Sequence, residues 1–95
     1  MNQNNKHVLI TGTVAFDDIE TPNGSSGKII GGAGTYIALA ASVFSKRISL
    51  ISVIGDDFSE EDIEMLQSKN INTKMIERVP GEKSFYWKGR YHSNF

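Results

Sequence analysis

Gly31, Gly32, Ala33 and Gly34 run straight into the apolar stretch Thr35-Tyr36-Ile37-Ala38-Leu39-Ala40-Ala41-Ser42-Val43-Phe44. Ile37, Ala40, Ala41 and Phe44 recur at helical spacing, which predicts a helix over about residues 34–45 with those four side chains on its packed face. Glycine has no Cβ, so the backbone entering this helix can turn sharply and come close to another chain or to a ligand. The helix start offers free N–H groups and the positive end of the dipole, a setting that suits a polar or anionic small molecule. The plainer alternative is that the glycines only make a tight entry to a packed helix.

The flanking segments predict an α/β domain. Val8-Leu9-Ile10-Thr11-Gly12-Thr13-Val14 is a short β-branched run and reads as a buried strand, followed by Ala15-Phe16-Asp17-Asp18 at its carboxyl end. Open α/β sheets bind ligands beyond the carboxyl ends of their strands, so Asp17 and Asp18 lie where a functional carboxylate belongs; the alternative is a solvated loop acid. Thr21-Pro22-Asn23-Gly24-Ser25-Ser26-Gly27-Lys28 reads as a turn-rich connection, and Ile29-Ile30 as a short strand. Ile48-Ser49-Leu50-Ile51-Ser52-Val53-Ile54 is apolar on both faces, as in a parallel sheet. The next helix has Ser59 as N-cap, Glu60, Glu61 and Asp62 in its first turn, Phe58 placed to staple onto Ile63, and Asn70 as a left-handed stop. Thr73 to Val79 and the aromatic run Ser84-Phe85-Tyr86-Trp87-Lys88-Gly89-Arg90-Tyr91 complete the strands, with Phe85, Trp87 and Tyr91 on one face and Tyr86 on the other. The order predicts a parallel sheet with right-handed crossovers. Two helices leave one face of such a sheet poorly covered, which suits a truncated domain better than a complete one.

Composition closes off other classes. Ten Lys+Arg against eleven Asp+Glu give a net charge of −1, so neither a nucleic-acid partner nor an acidic tail is expected. There is no cysteine, and His7 and His92 lie far apart, so no thiolate or histidine metal site is expected. No apolar run approaches the ~20 residues of a membrane helix. The polar start lacks a signal-peptide core, and a cytoplasmic location follows as the expectation. Gly12-Thr13-Val14 and Gly32-Ala33-Gly34-Thr35-Tyr36-Ile37 both fail the Rossmann fingerprint, and Gly27-Lys28 lacks both anchors of a Walker A loop. The pairs Asp17/Asp18 and Asp56/Asp57 read as caps or loop acids ahead of cation ligands, so no metal is assigned.

Taken in order, these segments resemble the N-terminal portion of the ribokinase-like (PfkB) family of carbohydrate and nucleoside kinases. Gly12-Thr13-Val14-Ala15-Phe16-Asp17 is similar to the family's G-x-x-x-x-D, and Gly31-Gly32-Ala33-Gly34 to its G-G-x-x-x-N segment. Val53-Ile54-Gly55-Asp56-Asp57 is similar to its V-G-x-D strand end, and Asn70-Ile71-Asn72-Thr73 to the segment leading into the third strand. The match spans roughly residues 8–91 of 95.

The resemblance implies a ribokinase-like α/β fold, here the N-terminal part of a mainly parallel sheet flanked by helices, with a β lid. It implies transfer of the γ-phosphoryl group of ATP to a sugar hydroxyl. Asp17 would hold sugar hydroxyls, the backbone of Gly31, Gly32, Ala33 and Gly34 would pack against the sugar, and Phe85 and Trp87 would belong to the lid. The family's catalytic base, nucleotide site and Mg²⁺ environment lie in a later G-x-G-D region. No catalytic residue is therefore expected in residues 1–95, which alone are expected to be inactive, with ATP and Mg²⁺ belonging to the complete enzyme. The resemblance allows a homodimer through the lid, but the connection from Asp18 to Gly31 looks short for it, and the sequence leaves the oligomeric state open. Tyr36 stands where the family often has Asn, Ala33 where ribokinases carry Lys, and Ala15 lacks the amide that the family often has near Asp17. These departures point away from ribose toward another sugar or a nucleoside. The alternatives from other classes are a small non-catalytic sugar- or nucleoside-binding module and a purely structural fragment.

Overall fold

The computed structural model describes residues 6–92. The elements run β1 (Val8–Thr11), β2 (Ala15–Thr21), β3 (Gly24–Gly31), α1 (Ala33–Ala41), β4 (Ile48–Ile54), α2 (Glu60–Gln67), β5 (Ile71–Asn72), β6 (Ile76–Arg78) and β7 (Phe85–Arg90). They form two sheets. In the first, β4 pairs in parallel with β1, with β5 along residues Ile48 and Ser49, and with β6 along Ser52 to Ile54. In the second, β2 lies between β3, which is antiparallel to it, and β7, which is parallel. The expectation of a parallel sheet with helices packed on it holds for the first sheet, and the second, mixed sheet is the part that the resemblance would make the lid.

The chemistry of β4 explains its central place. Ile48, Leu50 and Ile54 are buried and join Ile10, Val14, Phe16, Phe58, Leu66, Ile71 and Ala38 in one core. Ile51 and Val53, on the alternate positions, are exposed, as is Leu9 at 61%. The helices therefore cover one face, and the other presents unpartnered aliphatic side chains, as the helix count predicts.

Several expectations are corrected. Residues 15–20 are not a loop but strand β2, and the turn-rich connection is the second half of a hairpin. Pro22-Asn23 forms its tip, between the paired Thr21 and Gly24, and β3 continues through to Gly31. The turn signal was real, but the serines and glycines after it are in the strand because their backbone groups pair with β2. The first strand ends at Thr11 rather than Val14, since Gly12 and Thr13 receive the start of α1. The strand expected over Thr73 to Val79 shrinks to β6, because Lys74-Met75 form a turn, and β5 lies before it at Ile71–Asn72.

The predicted inner face of α1 is also corrected. Ile37 is 52% and Phe44 77% exposed, and Ala40 is exposed too; Gly34, Thr35 and Ala38 are the buried residues. The reason is close approach. A Cβ on Gly34 would lie 2.7 Å from the backbone carbonyl of Gly12, so only a face of small residues fits against β1. The helix ends at Ala41, before the predicted residue 45, with Ser42 Oγ donating to the Leu39 carbonyl at 2.6 Å. Lys46 and Arg47 consequently lie beyond its last turn.

α2 forms as its local sequence dictates. The Ser59 side chain accepts from Asp62 N at 3.1 Å, and Asp62 Oδ2 accepts from Ser59 N at 3.0 Å. Asn70 takes the left-handed conformation (φ 63°). Phe58 is buried against Phe16, with ring centroids 5.5 Å apart, and so ties α2 to the lid sheet.

Thr35 is wholly buried, and its Oγ1 has no hydrogen-bond partner among the described residues. Such a hydroxyl is lost to water without compensation. Thr35→Val keeps the branched shape and is expected to leave stability unchanged or raise it by up to about 1 kcal/mol. Thermal unfolding tests this; a clear loss of stability would mean that the hydroxyl is satisfied.

Candidate functional site

β2 carries Asp17 into the middle of the lid sheet, not onto a loop. Its register partners are Ile29 on β3 and Trp87 on β7. Strand alternation puts Ala15, Asp17, Phe85 and Trp87 on one face and Phe16, Asp18 and Tyr86 on the other. The two neighbouring acids thus part company. Asp17 faces the start of α1, whereas Asp18 Oδ2 accepts from the Tyr86 hydroxyl at 3.1 Å on the opposite face, beside Lys28, whose Nζ lies 5.2 Å from the Tyr86 ring centroid.

The glycine cluster is the joint between the lid sheet and the helix. Gly31 ends β3, and its missing side chain leaves room for the Asp17 carboxylate, because a Cβ there would overlap Asp17 Oδ2. Gly32 caps α1 with φ 93°. Gly34 N donates to the Thr13 carbonyl at 2.9 Å, so one of the helix's first-turn donors is already engaged. Ala33 is exposed beside them.

Tyr36, one turn into α1, donates its hydroxyl to Asp17 Oδ2 at 3.1 Å. That bond to an anion, with some desolvation and the carboxylate's charge, raises the phenol pKa above its ordinary value of 10.0. Tyr36 is therefore a neutral donor across the physiological range.

The structure brings Asp17, Gly31 and Tyr36 together. Phe85 and Trp87 share the Asp17 face but do different things. Phe85 lines a groove of about 400 Å³ with Thr11, Gly12, Thr13, Ile51 and Val53, at the carboxyl end of β1. The Trp87 indole lies along its own strand over Gly89, where a Cβ would strike the ring.

The acids after β4 have a role that sequence reading left as caps. Gly55 N donates to Ser84 Oγ at 2.9 Å, Asp57 Oδ1 accepts from Ser84 N at 2.8 Å, and Asp56 Oδ2 accepts from Gly81 N at 2.7 Å. Arg78 Nη1 donates to the Gly55 carbonyl at 2.7 Å. This turn clamps the segment that leads into β7, and so fixes where Phe85 and Trp87 enter the lid. The signal in the sequence was an acid pair directly after a strand-ending glycine, but nothing local named Ser84 as its partner.

The backbone hydrogen bond from Ser84 holds the Asp57 carboxyl below its ordinary pKa of 3.8, against a smaller opposing effect of desolvation, and Lys28 adds an attraction. A lowered folded-state pKa adds stability that is present above 3.8 and is lost as pH falls through the folded value. Asp57→Asn is therefore expected to be less stable than the parent near neutral pH and to converge with it in strong acid. Thermal melts across the acid range check this, and parallel curves for the two proteins would refute it.

Among the described residues, no group of three His, Cys, Asp or Glu side chains is placed to hold a metal ion. Among these residues no helix is long and apolar enough to cross a membrane.

No family model matches the chain. A cytidine kinase from Thermococcus kodakarensis is 26% identical over 87 residues, covering 92% of this chain and 31% of that protein. A deoxyribokinase from Salmonella typhi is 37% identical over 51 residues, 53% of this chain and 17% of that protein. The crystal structure of ribokinase from Cryptococcus neoformans var. grubii serotype A in complex with ADP superposes with a TM-score of 0.75 at 25% identity, over 94% of this chain and 31% of that one. The chain thus spans about a third or less of the length of these proteins. The match over nearly its whole length shows that the chain has the ribokinase-like α/β fold and is similar to PfkB-family kinases, consistent with an N-terminal portion of that fold.

Proposed function

We propose that residues 1–95 form the sugar- or nucleoside-binding N-terminal portion of an ATP-dependent kinase domain whose nucleotide-binding and catalytic parts lie in further sequence. The observation that carries this is the seating of Asp17: a carboxylate on the face of the second sheet that meets the start of α1, against Gly31 and beside a glycine-opened helix. An ionised carboxylate is a strong acceptor for sugar hydroxyls. The glycine backbone of Gly31, Gly32, Ala33 and Gly34 lets a sugar ring approach, and Tyr36 lines the same site. Phe85 and Trp87 on the Asp17 face supply the apolar cover that excludes water. The kinase names of the relatives and the exposed aliphatic face of Leu9, Ile51 and Val53, which further elements of a larger domain would cover, support the reading.

ATP and Mg²⁺ belong, in this reading, to the complete enzyme. The described residues offer no metal-holding cluster, and no step of phosphoryl transfer is assigned to a residue of this chain. The same reading places the enzyme in the cytoplasm and allows pairing of two lids in a homodimer, without nucleic-acid or membrane partners.

Trp87, the sole tryptophan of these residues, supplies the test. Titration of residues 1–95 with pentoses, hexoses and nucleosides is expected to change its fluorescence saturably for at least one of them. The change is expected to vanish in Asp17→Ala. A ligand response that persists without Asp17 would overturn the placement of the site.

A further inference from the structure

The two oxygens of Asp17 are not equivalent. Oδ2 sits against Gly31, where even a methyl group would overlap it, and accepts the Tyr36 hydroxyl at 3.1 Å. Oδ1 accepts no hydrogen bond among the described residues. A carboxylate that holds a vicinal diol uses both oxygens, one for each hydroxyl, in the manner of its bidentate pairs with other forked donors. In this chain one of those two directions is filled from within the protein.

We propose that Tyr36 is a specificity-determining residue: by occupying Asp17 Oδ2 it leaves the site to receive one hydroxyl at Oδ1, and so favours a deoxy sugar or deoxynucleoside over a substrate that presents a vicinal diol. The proposal rests on the sugar-binding reading above and narrows its substrate class. The phenol is held by helix α1, so a diol has to break a charge-assisted bond and shift a ring rooted in that helix. A deoxy sugar leaves both in place, and the carbon lacking its hydroxyl meets the half-exposed ring instead of an unpaired acceptor. The raised phenol pKa keeps Tyr36 a donor throughout the neutral range, so the block does not lapse with pH there.

The test is calorimetric titration of the full polypeptide carrying this sequence with ribose and 2-deoxyribose, and with cytidine and 2′-deoxycytidine, for the parent and for Tyr36→Phe. The variant keeps the ring, which is half exposed, and removes only the hydroxyl; unfolding curves confirm that it is folded. The parent is expected to bind the deoxy member of a pair at least as tightly as its diol counterpart. Tyr36→Phe frees Oδ2 and is expected to shift the affinity ratio toward the diol by about tenfold, the effect of one charge-assisted hydrogen bond. An unchanged ratio overturns the role of Tyr36 while leaving the sugar site standing. A parent that prefers the diol also overturns it. If neither protein binds any of the four compounds, the sugar-binding reading falls together with the specificity it supports.

Discussion

Asp17→Ala is expected to weaken binding of the sugar or nucleoside by about 100-fold in the full polypeptide, with little change in its unfolding temperature. The size follows from what is removed. A hydrogen bond to an ionised group is worth about 1.5–3 kcal/mol, and the Asp17 carboxylate is a charged acceptor held between Gly31 and Tyr36. The small effect on folding follows from position, since Asp17 is only half buried and makes no ion pair among the described residues. Asp17→Asn separates charge from shape. Its amide still offers an oxygen, so a loss nearer tenfold is expected. Asp17→Ala releases Tyr36 and Asp17→Asn removes the negative charge beside it, so in both the elevated titration of that phenol, followed by its ultraviolet absorbance, is expected to move back toward 10.0. Asp18→Ala is the control. It lies on the other face of β2 and hydrogen-bonds Tyr86, so it is expected to lower the titration of Tyr86, which desolvation and that bond hold up, while leaving ligand affinity unchanged. Equal losses for Asp17→Ala and Asp18→Ala would mean that the two acids act through the stability of the lid sheet and not through a ligand.

How much of this was legible in the sequence depends on the range of the interaction. Elements whose grammar is local were read well. α2 starts at a capping serine and is stopped by a left-handed asparagine because those residues satisfy the backbone within a few positions of themselves. The tip at Pro22-Asn23 is likewise a local event. The lid sheet was half invisible: residues 15–21 and 24–31 lack the apolar alternation of a strand because they are stabilised by pairing across the sheet, with β2 bonded on both sides. The inner face of α1 was misread because hydrophobicity alone marks Ile37 and Phe44 as core. The contact with Gly12 instead selects for small size, which no helical periodicity records. Asp17 and the glycine cluster stood out as chemistry, and the fold brings them together. The bond from Tyr36 to Asp17 spans nineteen residues and the whole of β3, and the clamp from Asp57 to Ser84 spans twenty-seven; neither has a local signature.

Gly32→Ala is expected to be strongly damaging for a single added methyl group, lowering stability by about 3 kcal/mol or more. Two costs coincide there. The backbone has φ 93°, a conformation that L side chains rarely adopt, and holding a non-glycine residue in such a region costs of order 1–3 kcal/mol. The added Cβ would also run into the Thr13 carbonyl oxygen, with the Thr13 carbonyl carbon at 2.9 Å and Ala15 N at 3.1 Å. These are backbone atoms between two paired strands, so they cannot swing aside as a long side chain would. Relief requires the start of α1 to move away from β1, which breaks the bond from Gly34 N to the Thr13 carbonyl and displaces Gly31 from the Asp17 carboxylate. Stability and ligand binding are therefore expected to fall together, in contrast to Asp17→Ala, where binding falls alone. Gly27→Ala isolates the conformational part. It too has a positive φ, 65°, but a Cβ there meets nothing within 4 Å, so a loss of only about 1 kcal/mol is expected. Denaturant unfolding of the two variants compares them directly. A Gly32→Ala protein no less stable than Gly27→Ala would show that the entry to α1 is pliable, and the rigid seat assigned to Asp17 would go with it.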